Sequence, residues 1–384
     1  MSVDADTSVA GPTTVTPTSP QVPSRFSSWS EIVVLYAISI FGALAISALL
    51  VTVTGGEWRS VFSALLDGSL LAPGRWGTTI GSATPLLLVA LGTIVNAKAG
   101  YVNIGQEGQL LIGGGAAAFV GVHLGGPGPI VFVAIVLAGI VGGALWAGIA
   151  AGLRNWRGVP EVLTTLLLVS VASQVIGLGF RSESFLLAPI TEGSGTQVSQ
   201  TLQMPDGVRI PRITIFGNEF PVSVFAAVVF AALLALVLTR TVVGFRLRML
   251  GANARTAMRS GVDSVRVGSA AMLISGGFAG LAGTVMLLGG DFGGYRFSPG
   301  FSINFGWTGL LVALVARERA LAAVAVSFVF ASLMTGSGFL AATGVERRIT
   351  DVVQALLVLA LLIPPAVLFV RTRRRAAAAR EART

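Results

Sequence analysis

Gly100-Tyr-Val-Asn-Ile-Gly-Gln-Glu-Gly-Gln109 is the stretch on which the reading of this chain turns. It lies between two long apolar runs, Trp76–Ala97 and Leu110–Gly125, and gathers Asn103, Gln106, Glu107 and Gln109 among Gly100, Gly105 and Gly108. A charged side chain at bilayer depth costs about 2.5–3.5 kcal/mol on insertion scales, so such groups normally mark a path for a solute or ion. Glycine lets the backbone unwind and come close to a ligand. Discontinuous, polar elements between spans are where transporters hold their cargo.

The surroundings fit that reading. Of 384 residues 53% are hydrophobic and only 11% charged, against about 25% charged in soluble domains. Mean hydropathy is +0.82. These values imply an all-α integral membrane protein with no large soluble domain. Ten spans are expected, at 32–54, 76–97, 108–125, 129–152, 161–180, 219–240, 267–289, 303–316, 320–338 and 351–370; the third and eighth are short and glycine-interrupted, as half-helices would be. Residues 1–28 are rich in Ser, Thr and Pro and read as a disordered cytoplasmic tail. The membrane domain takes 29–370, and 371–384 form a basic tail. The first apolar run exceeds a signal-peptide core and reads as a retained helix.

The net charge of +9 is carried almost wholly by Arg, with Lys98 the single lysine. With the N-terminus inside and the spans alternating, eighteen of the 26 basic residues fall on the inner side and eight outside. The positive-inside rule then gives both termini inside. The arginines sit in short loops and the C-terminus, so the basic balance reflects topology, not nucleic acid. With no Cys there is neither disulfide nor thiolate site, and one histidine, His123, cannot build a His-rich metal site.

Three segments lie outside the spans. Residues 55–75 hold an amphipathic stretch, Trp58–Leu66. The outer loop 181–218 alternates Val208/Ile210 and Ile213/Ile215, as a small hairpin would. In the basic inner loop 241–266, Asn253 is placed to cap a short helix over Ala254–Ser260, with Gly261 at its left-handed end. That loop is either a solvated basic connection or a helix lying across the membrane face to dock a soluble partner.

Four stretches, in order, resemble the permease subunits of ABC importers of the ribose, simple-sugar and branched-chain amino-acid group, and most of all its bacterial nucleoside-uptake members. They are Ala83-Thr-Pro-Leu-Leu-Leu88 running into Gly100–Gln109; Val159-Pro-Glu-Val-Leu-Thr-Thr-Leu-Leu-Leu168; Arg240–Arg248 continuing to Gly251-Ala-Asn253 and Ser260-Gly-Val262; and Phe305-Gly-Trp-Thr-Gly-Leu-Leu-Val-Ala-Leu314. The Asn-Ile-Gly-Gln-Glu-Gly-Gln run is the most specific. The tail and the 181–218 loop are not covered. Three departures stand out: Val169-Ser170 where the family has Asn-Tyr, a missing polar group in the fifth span, and Ala254 in place of the usual proline.

The resemblance implies a multi-pass permease of the bacterial cell membrane. Its partners are ATPase subunits, a second permease in a heterodimer, and an external substrate-binding lipoprotein. The inner loop matches the family's coupling helix, with Gly251, Asn253, Ala257, Ser260 and Gly261 at the ATPase contact. No Gly-x-x-x-x-Gly-Lys-Ser/Thr pattern occurs, so ATP and magnesium belong to the partner and this chain carries neither cofactor nor enzymatic chemistry. Substrate-pathway residues are then Asn103, Gln106, Glu107, Gln109, Gln174 and Trp307. Their neutral amides both donate and accept, which suits a nucleoside or sugar better than an ion. For each there is also a structural role: Glu107 as a cap on the following half-helix, the amides as interhelical hydrogen bonds, Trp307 as an interface anchor. A simple-sugar permease is the rival within the class. An ion- or proton-driven carrier would show internal repeats and midplane charges, which are not evident.

Overall fold

The computed structural model describes residues 25–53, 57–189, 198–302 and 304–342, and parts of 352–374. The order is α1 (Arg25–Val53), α2 (Trp58–Leu66), α3 (Arg75–Lys98), α4 (Gln106–His123), α5 (Gly128–Arg157), α6 (Glu161–Gly179), β1 (Arg212–Ile215), β2 (Asn218–Pro221), α7 (Ser223–Arg240), α8 (Val242–Ala252), α9 (Ala254–Arg259), α10 (Ser264–Gly289), α11 (Phe305–Val315) and α12 (Ala320–Ala342). Among the described residues seven helices are long and apolar enough to cross a membrane: α1, α3, α5, α6, α7, α10 and α12. The glycine-rich α4 has 18 residues and α11 only 11. The expected tenth span falls on partly described residues, some of them helical.

Two helices form the centre. Over their most apolar windows α3 is 89% buried and α10 72%, against 17–28% for α1, α5, α6 and α7. Small residues make the close approach possible. Gly139 and Gly143 of α5 face Gly276 and Gly280 of α10, and a Cβ on Gly143 would stand 2.8 Å from the Gly280 Cα. Gly113 of α4 meets the same Gly280. In a membrane, where lipid tails are as apolar as leucine, such contact comes from dispersion between backbones rather than from hydrophobic exclusion.

Several expected boundaries move. α1 already begins at Arg25, inside the expected 1–28 tail; residues 1–24 lie outside the described residues, as do Arg347, Arg348 and most of 371–384. The stretch Trp58–Leu66 forms α2 and runs on into a π turn at Asp67–Leu71. The span drawn at 219–240 yields its first residues to β2, and α7 starts at Ser223. The hairpin pairs Ile213 with Phe220 and Thr214 with Glu219, so it lies later than the 208–215 alternation suggested. Its turn is Phe216-Gly217, both at positive φ (50° and 75°), which matches the twist of paired strands.

Arg212 straps this hairpin to the bundle. Its guanidinium donates to Asp291 Oδ1 at 2.8 Å, the Gly289 carbonyl at 2.9 Å and the Glu219 carbonyl at 3.1 Å. Burial pushes the Asp291 carboxyl above its ordinary value, and the Arg212 pair opposes that rise.

Candidate functional site

The site starts where α3 stops. Gly100 takes φ +76°, its N–H bonds the Ala97 carbonyl at 3.0 Å, and the Tyr101 N–H bonds the Asn96 carbonyl at 3.0 Å. This is a Schellman end, which needs a left-handed residue that glycine adopts without cost to a side chain. Beyond it Tyr101–Ile104 run without helix, and α4 begins at Gln106.

The amides of this break close on one another. Asn103 Nδ2 donates to Gln109 Oε1 at 2.8 Å, and Gln109 Nε2 returns a bond to Asn103 Oδ1 at 3.0 Å. Asn103 Oδ1 also accepts the Gly105 N–H at 3.1 Å, and Nδ2 reaches Ser275 Oγ of α10 at 3.0 Å. The Gln106 amide sits between Ser275 Oγ at 3.0 Å and Thr93 Oγ1 of α3 at 2.9 Å. The proton order that satisfies every group has Ser275 donating to the Gln106 oxygen and the Gln106 nitrogen donating to Thr93, which in turn donates to the Val89 carbonyl. Asn103, Gln106 and Gln109 are each at most 3% exposed. In this state their hydrogen-bonding capacity is directed into the protein.

Glu107 plays a different part. Its Oε2 accepts the Gly306 N–H at 2.6 Å, across 199 residues of sequence. Gly306 is the second residue of α11, whose first turn receives no side-chain cap from Asn304. One carboxylate therefore stands at two helix starts, its own α4 and the facing α11, where backbone N–H groups and both dipoles favour an anion. There is no space between them: a Cβ on Gly306 would lie 2.5 Å from the Glu107 Cα.

The half-helix α11 is delivered by a non-helical segment. Gly290, Gly293, Gly294 and Tyr295 all have positive φ, and Phe297, Phe301 and Phe305 are buried as anchors. The Phe297 ring lies against Gly114, midway along α4, so irregular backbone reaches well into the bundle. Thr201 holds it there, donating its N–H to the Phe297 carbonyl at 2.9 Å and accepting the Phe297 N–H at 3.0 Å. Irregular backbone at such depth is tolerated where protein satisfies it.

The sequence-selected residues do not form one cluster. Gln174 lies on the outer face of α6, exposed, and its side chain makes no hydrogen bond to a described residue. Ser170, one turn earlier, is exposed on the same face. The inner face of α6 is turned to the break: Thr165 Oγ1 accepts the Ile104 N–H at 3.3 Å, and a Cβ on Gly108 would lie 3.0 Å from the Val169 Cα. Trp307 sits in the first turn of α11, 36% exposed. Thr93 and Ser275 complete the amide network, yet neither differs in sequence from an ordinary hydroxyl in a span. The one sequence signal nearby is the run of glycines after Ser275, Gly276, Gly277, Gly280 and Gly283, which permits a close helix approach.

At the inner loop, Asn253 Oδ1 caps α9, accepting the N–H groups of Arg255 at 3.0 Å and Thr256 at 3.2 Å. Gly261, φ +80°, ends it through a second Schellman pair, Gly261 N–H to Met258 and Val262 N–H to Ala257. Ala257 is fully buried, Ser260 exposed, and Gly251 abuts Gly100. The preceding helix α8, capped by Thr241, was not foreseen.

A cavity of about 390 Å³ opens between α4 and α6, lined by Ile112, Phe119, Val175, Leu178, Phe185 and Leu186 among others. These side chains offer a hydroxylated solute nothing to bond. Among the described residues no three His, Asp or Glu side chains converge as a metal site would require.

Comparison with known proteins follows the same lines. The family described as branched-chain amino acid transport system / permease component matches residues 76–362. The glucose ABC transporter permease of Haloferax volcanii is 29% identical over 85% of this chain and 86% of its own length. The guanosine ABC transporter permease of Bacillus subtilis is 29% identical over 84% of this chain and 90% of its own. A nucleoside ABC transporter permease of Lactococcus lactis is 24% identical over 73% and 77%. Each of these organisms supplies a second, shorter match of similar name. No solved structure matches significantly.

Proposed function

We propose a function from the premise that this chain belongs to the branched-chain amino acid transport system / permease component family: it is the permease subunit of an ABC importer for a nucleoside or a sugar, with nucleosides the preferred cargo. The chain is a multi-pass membrane protein that performs no bond chemistry. Its motor is a separate ATPase docked on α9, its counterpart a second permease, and its supplier an external binding lipoprotein at the cell membrane. The presence of two guanosine permeases in one organism and two nucleoside permeases in another supports a heterodimer.

One observation carries the reading. Gln174 stands within the 19-residue α6 on a face that no described residue covers. An amide left without a partner in hydrocarbon costs about 2–7 kcal/mol. That face therefore meets a polar path or a second permease, not lipid alone. Gln174, with Ser170 a turn away, offers a neutral solute both donors and acceptors. Trp307 supplies an exposed aromatic surface suited to a base. The network of Asn103, Gln106 and Gln109 is the gate framework in this state, holding α4 to α3 and α10, and meets cargo when the network opens. Alternating access then consists of two such states, their balance set from α9.

The test is uptake of labelled nucleosides into proteoliposomes holding the chain with its second permease, ATPase and binding protein, with ribose and glucose as competitors. Uptake that needs ATP and resists both sugars is expected. Sugar transport alone would move the cargo to the sugar class, and uptake without the ATPase would overturn the assignment.

A further inference from the structure

Tyr101 is where three parts of the molecule meet, and the inference rests on the permease reading above. We propose that Tyr101 is the positioning residue that carries movement of the α8–α9 loop to the polar start of α4 and to α6.

Its backbone is fixed to α3 by the Asn96 bond, and Gly100 before it touches the end of α8. A Cβ on Gly100 would lie 2.9 Å from the Gly251 Cα, and one on Gly251 would lie 2.9 Å from the Gly100 nitrogen. Neither side has a side chain to yield.

The half-buried ring packs against the cluster of Leu250, Ala257 and Val262, which belongs to α8, α9 and the Gly261 turn. It also packs against Ala147 and Ala151 of α5 and Met272 of α10. A Cβ on Gly268 of α10 would stand 2.7 Å from its Cε2, so ring and helix backbone are in full contact. The hydroxyl donates to the Ser264 carbonyl at 3.3 Å. Arg154 lies over the ring at 4.0 Å and pairs with Glu161, the first residue of α6. Two residues after Tyr101 stands Asn103, the centre of the amide network.

Packed interiors transmit displacement because they hold no void to absorb it. A shift of α9 must move this ring, and the ring is tied both to the break before α4 and, through Arg154, to the start of the helix that bears Gln174. The alternative role, an aromatic anchor at the membrane interface, would affect stability and insertion but not the ratio of ATP hydrolysed to solute imported.

That ratio is the measurement, made in proteoliposomes holding the full complex with labelled adenosine, guanosine, uridine and glucose. Tyr101→Leu keeps apolar volume but loses the ring. The expected result is stimulated hydrolysis near wild type with uptake about tenfold lower, within the range of measured allosteric couplings. Tyr101→Phe, which keeps the ring and the Arg154 contact, should stay within about twofold. Tyr101→Leu at the wild-type ratio, with hydrolysis and uptake intact or falling together, overturns the proposal. Should Tyr101→Leu fail to assemble, Arg154→Met spares the ring and decides by the same ratio: a raised value supports the relay, an unchanged one overturns it. A wild-type complex that imports without ATP would sink the permease reading instead, so the two failures are distinct.

Discussion

Removing the Glu107 carboxylate should loosen the junction of α4 and α11 by a calculable amount. The group is 7% exposed and accepts the Gly306 N–H at 2.6 Å. A hydrogen bond to a charged partner contributes about 1.5–3 kcal/mol. An anion at a helix start adds about 0.3–1 kcal/mol, and here two starts share it. Glu107→Ala should therefore cost about 3 kcal/mol at this junction. Glu107→Gln keeps an acceptor and loses the charge, so about 1 kcal/mol is expected. Amide hydrogen exchange of the permease in nanodiscs reads this directly, because the Gly306 N–H is itself the donor. At about 1.4 kcal/mol per tenfold, exchange at Gly306 should speed up roughly 150-fold in the alanine variant and about fivefold in the glutamine variant. Unchanged exchange at Gly306, with uptake abolished, would refute the reasoning. It would place the carboxylate on the cargo instead of the helix ends.

Other consequences can be checked alongside. Gly261→Pro removes the N–H that bonds Met258 and forbids φ +80°; uptake should fall at least about tenfold with membrane abundance unchanged, and normal uptake would discard the coupling role of α9. Gly280→Val must displace the Gly139 and Gly143 backbones, so thermal stability in detergent should drop by about 3 kcal/mol; a stable variant would deny the close packing of α5 on α10. Ser275→Ala leaves Asn103 and Gln106 each short of one bond, a loss of about 2 kcal/mol that thermal unfolding should register. Arg212→Ala takes away what holds the Asp291 carboxyl down, leaving burial to raise it further above 3.8. A carboxyl whose folded pKa exceeds its unfolded one lends stability that is present below the unfolded value and lost as pH rises through the folded one. Melting of this variant should therefore worsen from acid to neutral pH more steeply than wild type, and Asp291→Asn in the same background should flatten the profile.

The amino-acid sequence by itself determined the elements whose cause is local. Apolar runs as long as a bilayer is thick mark α3, α5, α7 and α10 wherever they sit in space. Amphipathic spacing delimits α2, and the order Asn253, short helix, Gly261 writes both ends of α9, because a cap bonds residues two or three positions away. Gly100 and the polar run after it likewise announce a break between α3 and α4. The boundary at 219–223 was less legible, since a four-residue strand running almost directly into an apolar helix shows no period of its own.

Tertiary structure alone decided what that break does. Thr93, Ser275 and Gly306 meet Gln106, Asn103 and Glu107 across 13, 172 and 199 residues. Nothing in the local pattern distinguishes these partners from other small residues in spans. Gln174 was legible as a candidate, a polar residue within a span, but only the packing leaves its face uncovered. A side chain's hydrogen-bonding capacity is set by its chemistry, but whether that capacity is consumed inside the protein or left for a solute depends on which distant backbone arrives beside it.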